Sequence, residues 1–290
     1  MEYYVYRYIN GVTISVWDVE EIISRIKKGE TRFKVTVDLG LRETDIEYRN
    51  GVVVISGDTI DINELNAVRE GFLYKLIDGR LHRLDMYSDG KYYKLRPVAR
   101  NKAPTIEING IHMHRIQSID PWTDSFTKIR SISRRIKNAR VLDICTGLGY
   151  TAIAEVMFGA KSVVTVELDS NVLYLASLNP WSRKLEDPKI SIVLGDAFNV
   201  LDELGEEDFD VVVHDPPRFE IAGELYSYEF YKKVYRILKK NGVFVHYTGN
   251  PAKHSNIDII KGIKNRLSRA EFSEIHWIES IKGFKAIKVT

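Results

Sequence analysis

The sequence predicts an α/β fold: a doubly wound parallel sheet over residues 118–290, preceded by a smaller, mostly β domain over residues 1–117. Three features carry the prediction. Residues 139–151, Ala-Arg-Val-Leu-Asp-Ile-Cys-Thr-Gly-Leu-Gly-Tyr-Thr, read as a buried strand, a Gly-x-Gly turn at Gly147 and Gly149, and a helix start. Beyond them, strand-like apolar runs alternate with helical ones, the pattern of a parallel sheet with crossover helices. Before residue 118, short alternating runs are separated by Asn-Gly and Asp-Gly pairs, the pattern of β-hairpins.

Residues 17–28 suit a short amphipathic helix. Residues 32–38 and 44–48 alternate as strands, Asn50-Gly51 turns the chain, and 52–55 return. Residues 62–70 read as a short helix with Asp61 as N-cap and Gly71 as stop. Strands follow at 72–77, 81–87 and 92–97, turned at Asp78-Gly79 and Asp89-Gly90. The block closes with 105–108, an Asn109-Gly110 turn and 111–115. A helix then runs from Asp120-Pro121 to about Ile136, with Pro121 in its first turn and Asp120 able to cap it. Strands are expected at 141–144, 162–167, 190–194, 209–214, 243–247 and 286–289, with helices between them.

At 290 residues and 44% hydrophobic, the chain can bury a sizeable core. No apolar run approaches the ~18 residues that span a bilayer. The first ten residues lack the apolar segment of a secretory signal, and the single cysteine, Cys145, fits a reducing cytoplasm. No Cys or His cluster has metal-ligand spacing, so no metal is expected. The lone glutamine, Gln117, beside freely used Lys, Arg and Glu, leans toward heat adaptation. The net charge of +2 announces no nucleic-acid binder. Locally the balance shifts: eight Lys or Arg against three Asp between Lys75 and Lys102, and eight against four acidic residues in the last forty. The run Tyr92-Tyr93-Lys94-Leu95-Arg96 interleaves rings and cations, a mix that stacks bases and holds phosphates. It is equally the pattern of an ordinary strand on a solvated, charged surface.

Ligands of doubly wound sheets bind at the carboxyl ends of the strands. The first such end carries Asp143 and the glycine turn. The second carries Glu167, able to accept ribose hydroxyls. The third carries Asp196, able to accept an exocyclic amine of adenine. The fourth carries His214-Asp215-Pro216-Pro217-Arg218-Phe219. Each carboxylate alone also suits a cap or a turn; the four in succession point to a nucleoside.

These residues resemble the S-adenosylmethionine-dependent class I methyltransferases over residues 118–290. Asp-Ile-Cys-Thr-Gly-Leu-Gly stands where a dehydrogenase shows three glycines at wider spacing. The resemblance implies a Rossmann-like sheet and S-adenosylmethionine as cofactor. It implies that Asp143, Gly147 and Gly149 hold the methionine part, Glu167 the ribose and Asp196 the adenine, with Thr146, Leu168 and Ala197 beside them. Asn179-Pro180-Trp181-Ser182, and the run from His214 through Arg218 to Ala222-Gly223-Glu224-Leu225-Tyr226-Ser227, are similar to an archaeal family of such enzymes. That similarity implies modification of exocyclic amines in RNA, at N4 of cytidine in ribosomal RNA.

The chemistry suits an amine independently. A base amine is a poor nucleophile because its lone pair is delocalised into the ring. The Asp215 carboxylate and the Pro216 carbonyl can accept its two hydrogens, while Pro217 stiffens the loop. Stacking falls to Phe219 or to the Arg218 guanidinium, since Arg218 stands where such loops usually carry the aromatic residue. His214 and His246 are candidate proton acceptors or structural histidines. Tyr226 and Tyr228 are candidate pocket residues, although Tyr228, Phe230, Tyr231 and Tyr235 also form a helical core stripe. Cys145 reads as a packing residue.

Two other readings remain. A polyamine aminopropyltransferase would share the fold and the small β N-terminal domain, but its acidic loop after the fourth strand is replaced here by two prolines and an arginine. A non-catalytic RNA-binding factor would not need the Asp-Pro-Pro loop.

Overall fold

The computed structural model describes residues 1–249 and 256–290, so Lys253 of the basic C-terminal run lies outside the described residues. The chain forms two compact units. One comprises Met1–Tyr6, Thr123–Ser170 and Leu185–Thr290; the other comprises Arg7–Trp122 and Asn171–Lys184.

The first unit is built on an eight-stranded sheet. Its order is Glu2–Tyr4, Ile190–Leu194, Ser162–Glu167, Arg140–Ile144, Phe209–His214, Leu238–Tyr247, Gly283–Ile287, Ser273–Ile278. The five strands from Ile190–Leu194 to Leu238–Tyr247 are parallel. Their runs are rich in Val and Ile and buried on both faces, as a helix-covered parallel sheet requires. Strand order reverses at Arg140–Ile144: the chain builds outward on one side, then returns to pair on the other. That reversal opens a crevice at the carboxyl ends of the strands.

The sheet is not parallel throughout. Gly283–Ile287, expected near 286–289, runs antiparallel to both its neighbours. The preceding strand, Ser273–Ile278, reverses through Glu279–Ile281 and a left-handed Lys282 at φ 51°, too short a link for a crossover. Ser273–Ile278 was not predicted because its six residues show no buried run. Glu2–Tyr4 adds antiparallel to Ile190–Leu194, with Tyr3 opposite Val193.

The second unit holds three antiparallel sheets of four, three and four strands. Val12, Ile14, Ile22, Val35, Ile46, Ile55 and Leu76 pack its core. Helix Val16–Lys27 lays Val19 and Ile22 into that core; at its start the Asp18 carboxylate accepts the Ser15 N–H and hydroxyl. The hairpin at Asn50-Gly51 forms as expected, and a further strand, Asp58–Asp61, extends its sheet. The predicted helix at 62–70 is only Ile62–Asn66, started by Asp61 accepting the Asn63 N–H. The single strand expected at 81–87 is two, Arg80–Arg83 and Asp85–Ser88. Between them the Leu84 N–H donates to the Leu73 carbonyl, and its own carbonyl accepts from Leu95. One buried residue thus bonds toward two sheets, which alternation alone does not show.

A single cut at residue 117 therefore does not describe the units. Glu2–Tyr4 belongs with the large sheet. Residues 171–184 belong with the β unit, where Asn-Pro-Trp-Ser is an anchor. Asn179 is fully buried, donates to Ser182 Oγ at 2.7 Å and accepts the Trp181 N–H at 3.2 Å. The Trp181 indole N–H donates to the Leu39 carbonyl at 3.2 Å, and its ring tilts against Trp122 at 5.7 Å. Lys75, fully buried, donates to the Leu178 carbonyl at 2.9 Å and to the Tyr8 hydroxyl at 3.0 Å. Asn179→Ala removes both of these buried hydrogen bonds, and is expected to destabilise the protein by about 1–3 kcal/mol in thermal or denaturant unfolding.

Candidate active site

Asp143, Glu167, Asp196 and Asp215 lie at or just past the carboxyl ends of neighbouring parallel strands. Asp143 sits in register with Thr165 on one side and Val213 on the other, fully buried. Thr165 Oγ1 donates to Asp143 Oδ2 at 2.8 Å and meets the Thr146 hydroxyl at 2.7 Å. Asp143 Oδ1 has no hydrogen-bond partner of good geometry. Burial pushes the Asp143 carboxyl up to about 7; the Thr165 and Thr151 hydroxyls oppose this, and the charges of Asp215 and Glu167 add to it.

The turn that follows is conformationally demanding. Cys145, Gly147 and Gly149 all have positive φ, at 74°, 53° and 76°. A Cβ on Gly149 would also come within 2.5 Å of the Leu185 side chain. The left-handed cysteine is a locally strained position. It packs against the core of the large unit, and burial raises its thiol pKa, away from the thiolate form. The turn aims its backbone at the second strand end: the Gly147 N–H donates to Glu167 Oε2 at 2.8 Å and the Asp169 N–H to Oε1 at 3.0 Å. Burial still raises the Glu167 carboxyl. Leu168, next along, is 69% exposed, an apolar side chain presented beside a carboxylate. Asp196 accepts the Phe198 N–H at 2.7 Å and so caps helix Ala197–Glu203, where Ala197 is buried. One Asp196 oxygen makes the cap, and a carboxylate has acceptor sites beyond that one.

The fourth strand end contains a partner that sequence reasoning missed. Lys128 Nζ lies 2.7 Å from Asp215 Oδ2, 2.9 Å from Asp124 Oδ2 and 3.6 Å from the Tyr247 ring centroid. Burial alone would discharge this lysine; Asp215 and Asp124 instead hold its pKa above the usual lysine range. In sequence, Asp124 and Lys128 stand four apart on a helix, the spacing of a routine surface pair. Pro216 is buried, and the Tyr226 hydroxyl donates to the Pro217 carbonyl at 2.8 Å, fastening the loop. Tyr226, expected to line the substrate pocket, is 1% exposed and acts as that fastener. Phe219 is 41% exposed and packs edge-on against Tyr226 at 5.4 Å, while Arg218 is exposed and its carbonyl caps the next turn.

His214 does not have the surroundings of a proton acceptor. It is fully buried, with Nε2 at 3.1 Å from the Leu225 carbonyl, so Nε2 carries the hydrogen. Burial lowers its pKa to about 3, and its ring stacks on His246 at 4.7 Å. His246 is equally buried and meets the Tyr231 hydroxyl at 3.0 Å. Both belong to an aromatic core with Phe230 and Phe244. No described group of three or more His, Cys, Asp or Glu is arranged to hold a metal ion. No helix among the described residues is long and apolar enough to cross a membrane.

Asp143 carries a pH signature. Its folded pKa is raised above the unfolded value near 3.8, so folding favours the protonated acid. Its contribution is intact below about pH 4 and is lost as pH rises to its folded value near 7, a swing on the order of a few kcal/mol. Asp143→Asn, free of cofactor, is expected to melt above wild type at pH 8, with the gap closing toward pH 4.

Comparison with known proteins fits this geometry. The spermine/spermidine synthase domain family matches residues 132–278 of the 290. An uncharacterized protein of Methanocaldococcus jannaschii is 42% identical over 265 residues, 91% of this chain and 87% of that protein. Ribosomal RNA large subunit methyltransferase I of Citrobacter koseri is 35% identical over 88 residues, 30% of this chain and 22% of that protein. The crystal structure of spermidine synthase from Thermotoga maritima superposes with a TM-score of 0.55 at 19% identity, covering 74% of this chain and 73% of that one. The matching family is the one set out above as the alternative to a methyltransferase family, and the fold is that of S-adenosylmethionine-dependent transferases. The chain belongs to the spermine/spermidine synthase domain family.

Proposed function

We propose that the protein is an S-adenosylmethionine-dependent methyltransferase that modifies an exocyclic base amine in RNA, N4 of cytidine in ribosomal RNA being the specific expectation. Family membership leaves open which group is transferred and to what. The observation that carries the reading is the Lys128–Asp215 pair. A polyamine acceptor is a polycation and wants uncompensated carboxylates at the fourth strand end. Here the one carboxylate of Asp215-Pro-Pro-Arg already has a buried lysine at 2.7 Å, which it shares with Asp124 at 2.9 Å, and the next charge along is Arg218. Such a site suits a neutral amine on an anionic chain.

The residues present fit the cofactor. Asp143 offers a buried carboxylate oxygen without a partner, and Leu168 an exposed apolar surface beside Glu167. Asp143 and the glycine turn would hold the amino-acid part, Glu167 the ribose, and Asp196 with Leu168 the adenine. When bound, the group supplies an electrophilic methyl carbon on a sulfonium.

The chain's residues would do the rest. Asp215, with one oxygen held by Lys128, presents the other to an amine N–H, and the Pro216 carbonyl accepts the second. The prolines and the Tyr226 hydroxyl fix the direction of both acceptors. Phe219 offers an exposed ring for the base. Most of the rate would come from positioning and local electrostatics.

The test is nucleoside mass spectrometry of RNA treated with protein and S-adenosylmethionine, beside putrescine treated with protein and the decarboxylated donor. Methylcytidine in the RNA is expected. Aminopropyl transfer to putrescine without RNA methylation would replace this reading with the family's named activity. Asp215→Asn is expected to lower kcat for methylation about 100-fold or more, with cofactor affinity measured by calorimetry within a few-fold of wild type.

A further inference from the structure

The basic run from Lys75 to Lys102 is the stretch the sequence first offers for RNA docking, and it is largely engaged within the fold. Lys75 is fully buried. Arg83 pairs with Asp85 at 2.6 Å, and Lys94 and Arg96 with Glu107 at 3.1 and 2.9 Å. Arg100 pairs with Glu21, and Lys102 lies 3.5 Å from Asp120.

Cations without such partners lie elsewhere. The helix expected from Asp120 to about Ile136 is broken at Ile132 into Pro121–Ser131 and Ser133–Ile136. Ile129, Ile132 and Ile136 point inward and are buried, which turns the intervening arginines outward. Arg130, Arg134 and Arg135, joined by Lys285, line a cleft of about 350 Å³ that has no carboxylate in its wall. All three arginines are exposed, and none of the four cations makes an ion pair among the described residues. Four like charges around one concavity repel one another in the free protein. A polyanion relieves that repulsion, and a planar guanidinium matches a phosphate in two-point contacts.

We propose that this cleft holds the phosphate backbone of the RNA substrate, so that docking runs over the catalytic unit. The proposal rests on the RNA reading above. Arg130 follows Lys128 by two residues on one helix, about 3 Å of axial rise and roughly 200° of turn, so Arg130 faces solvent while Lys128 faces Asp215. The phosphate surface thus begins on the outer face of the helix whose inner face carries the residue that holds Asp215.

The test is fluorescence anisotropy of a labelled RNA hairpin over a series of KCl concentrations. For Arg134→Ala/Arg135→Ala, the slope of log affinity against log salt is expected to become shallower by about 2, one unit per lost phosphate contact. KM for RNA should rise on the order of tenfold, while calorimetric affinity for S-adenosylmethionine stays at the wild-type value and reports a folded protein. Arg134→Lys/Arg135→Lys keeps the charges and should keep the slope. An unchanged slope in the alanine variant overturns the proposal. So does a loss of slope in Arg80→Ala/Lys91→Ala alone, or no RNA binding by wild type at any salt. Methylation of RNA by wild type with an unchanged variant slope removes the surface and leaves the RNA reading standing. A shallower slope without methylation removes the reading and leaves a polyanion surface.

Discussion

The site is organised by an unfavourable concentration of negative charge. Asp143, Glu167 and Asp215 occupy neighbouring strand ends of one parallel sheet, and each of the first two has its carboxyl pKa raised by burial. A carboxylate taken from water costs free energy unless donors or cations replace the water. The protein replaces it unevenly. Glu167 receives two backbone N–H groups, Asp143 one hydroxyl at full hydrogen-bond geometry, and Asp215 a buried lysine. The left-handed turn at Cys145, Gly147 and Gly149 exists to bring one of those N–H groups into line. What remains uncompensated, chiefly at Asp143, suits a ligand carrying positive charge.

Lys128 divides this crevice into two electrostatic halves. On the Asp143 and Glu167 side negative charge predominates. On the Asp215 side Lys128 offsets part of the charge of Asp215 and Asp124, and the loop adds Arg218 and Glu220. Spermine/spermidine synthase membership fixes the fold and is compatible with either transfer. The same lysine ties helix Pro121–Ser131 to the fourth strand end.

Much of this was legible in the sequence, for definite reasons. Strands buried on both faces, such as Arg140–Ile144 and Ser162–Glu167, announce themselves as Val and Ile runs, and the carboxylates at their ends fall out by counting. Ser273–Ile278 did not, because no run of its residues is buried. The break at Leu84 and the capture of residues 171–184 by the β unit depend on a few long-range hydrogen bonds, which leave no periodic trace. Lys128 was hidden because a buried ion pair across 87 residues looks, in sequence, like an i,i+4 pair on a wet helix. His214 misled in the opposite sense: its place at a strand end suggested chemistry, but its side chain faces the aromatic core.

The most direct measurement is a crystal structure with S-adenosylmethionine bound. The ribose hydroxyls are expected on Glu167, the adenine against Leu168 and Asp196, and the ammonium of the amino-acid part beside Asp143. Density for the nucleoside away from Glu167 and Asp196, or an amino-acid part that leaves Asp143 Oδ1 without a partner, would contradict the claim that these buried strand-end carboxylates are a cofactor site.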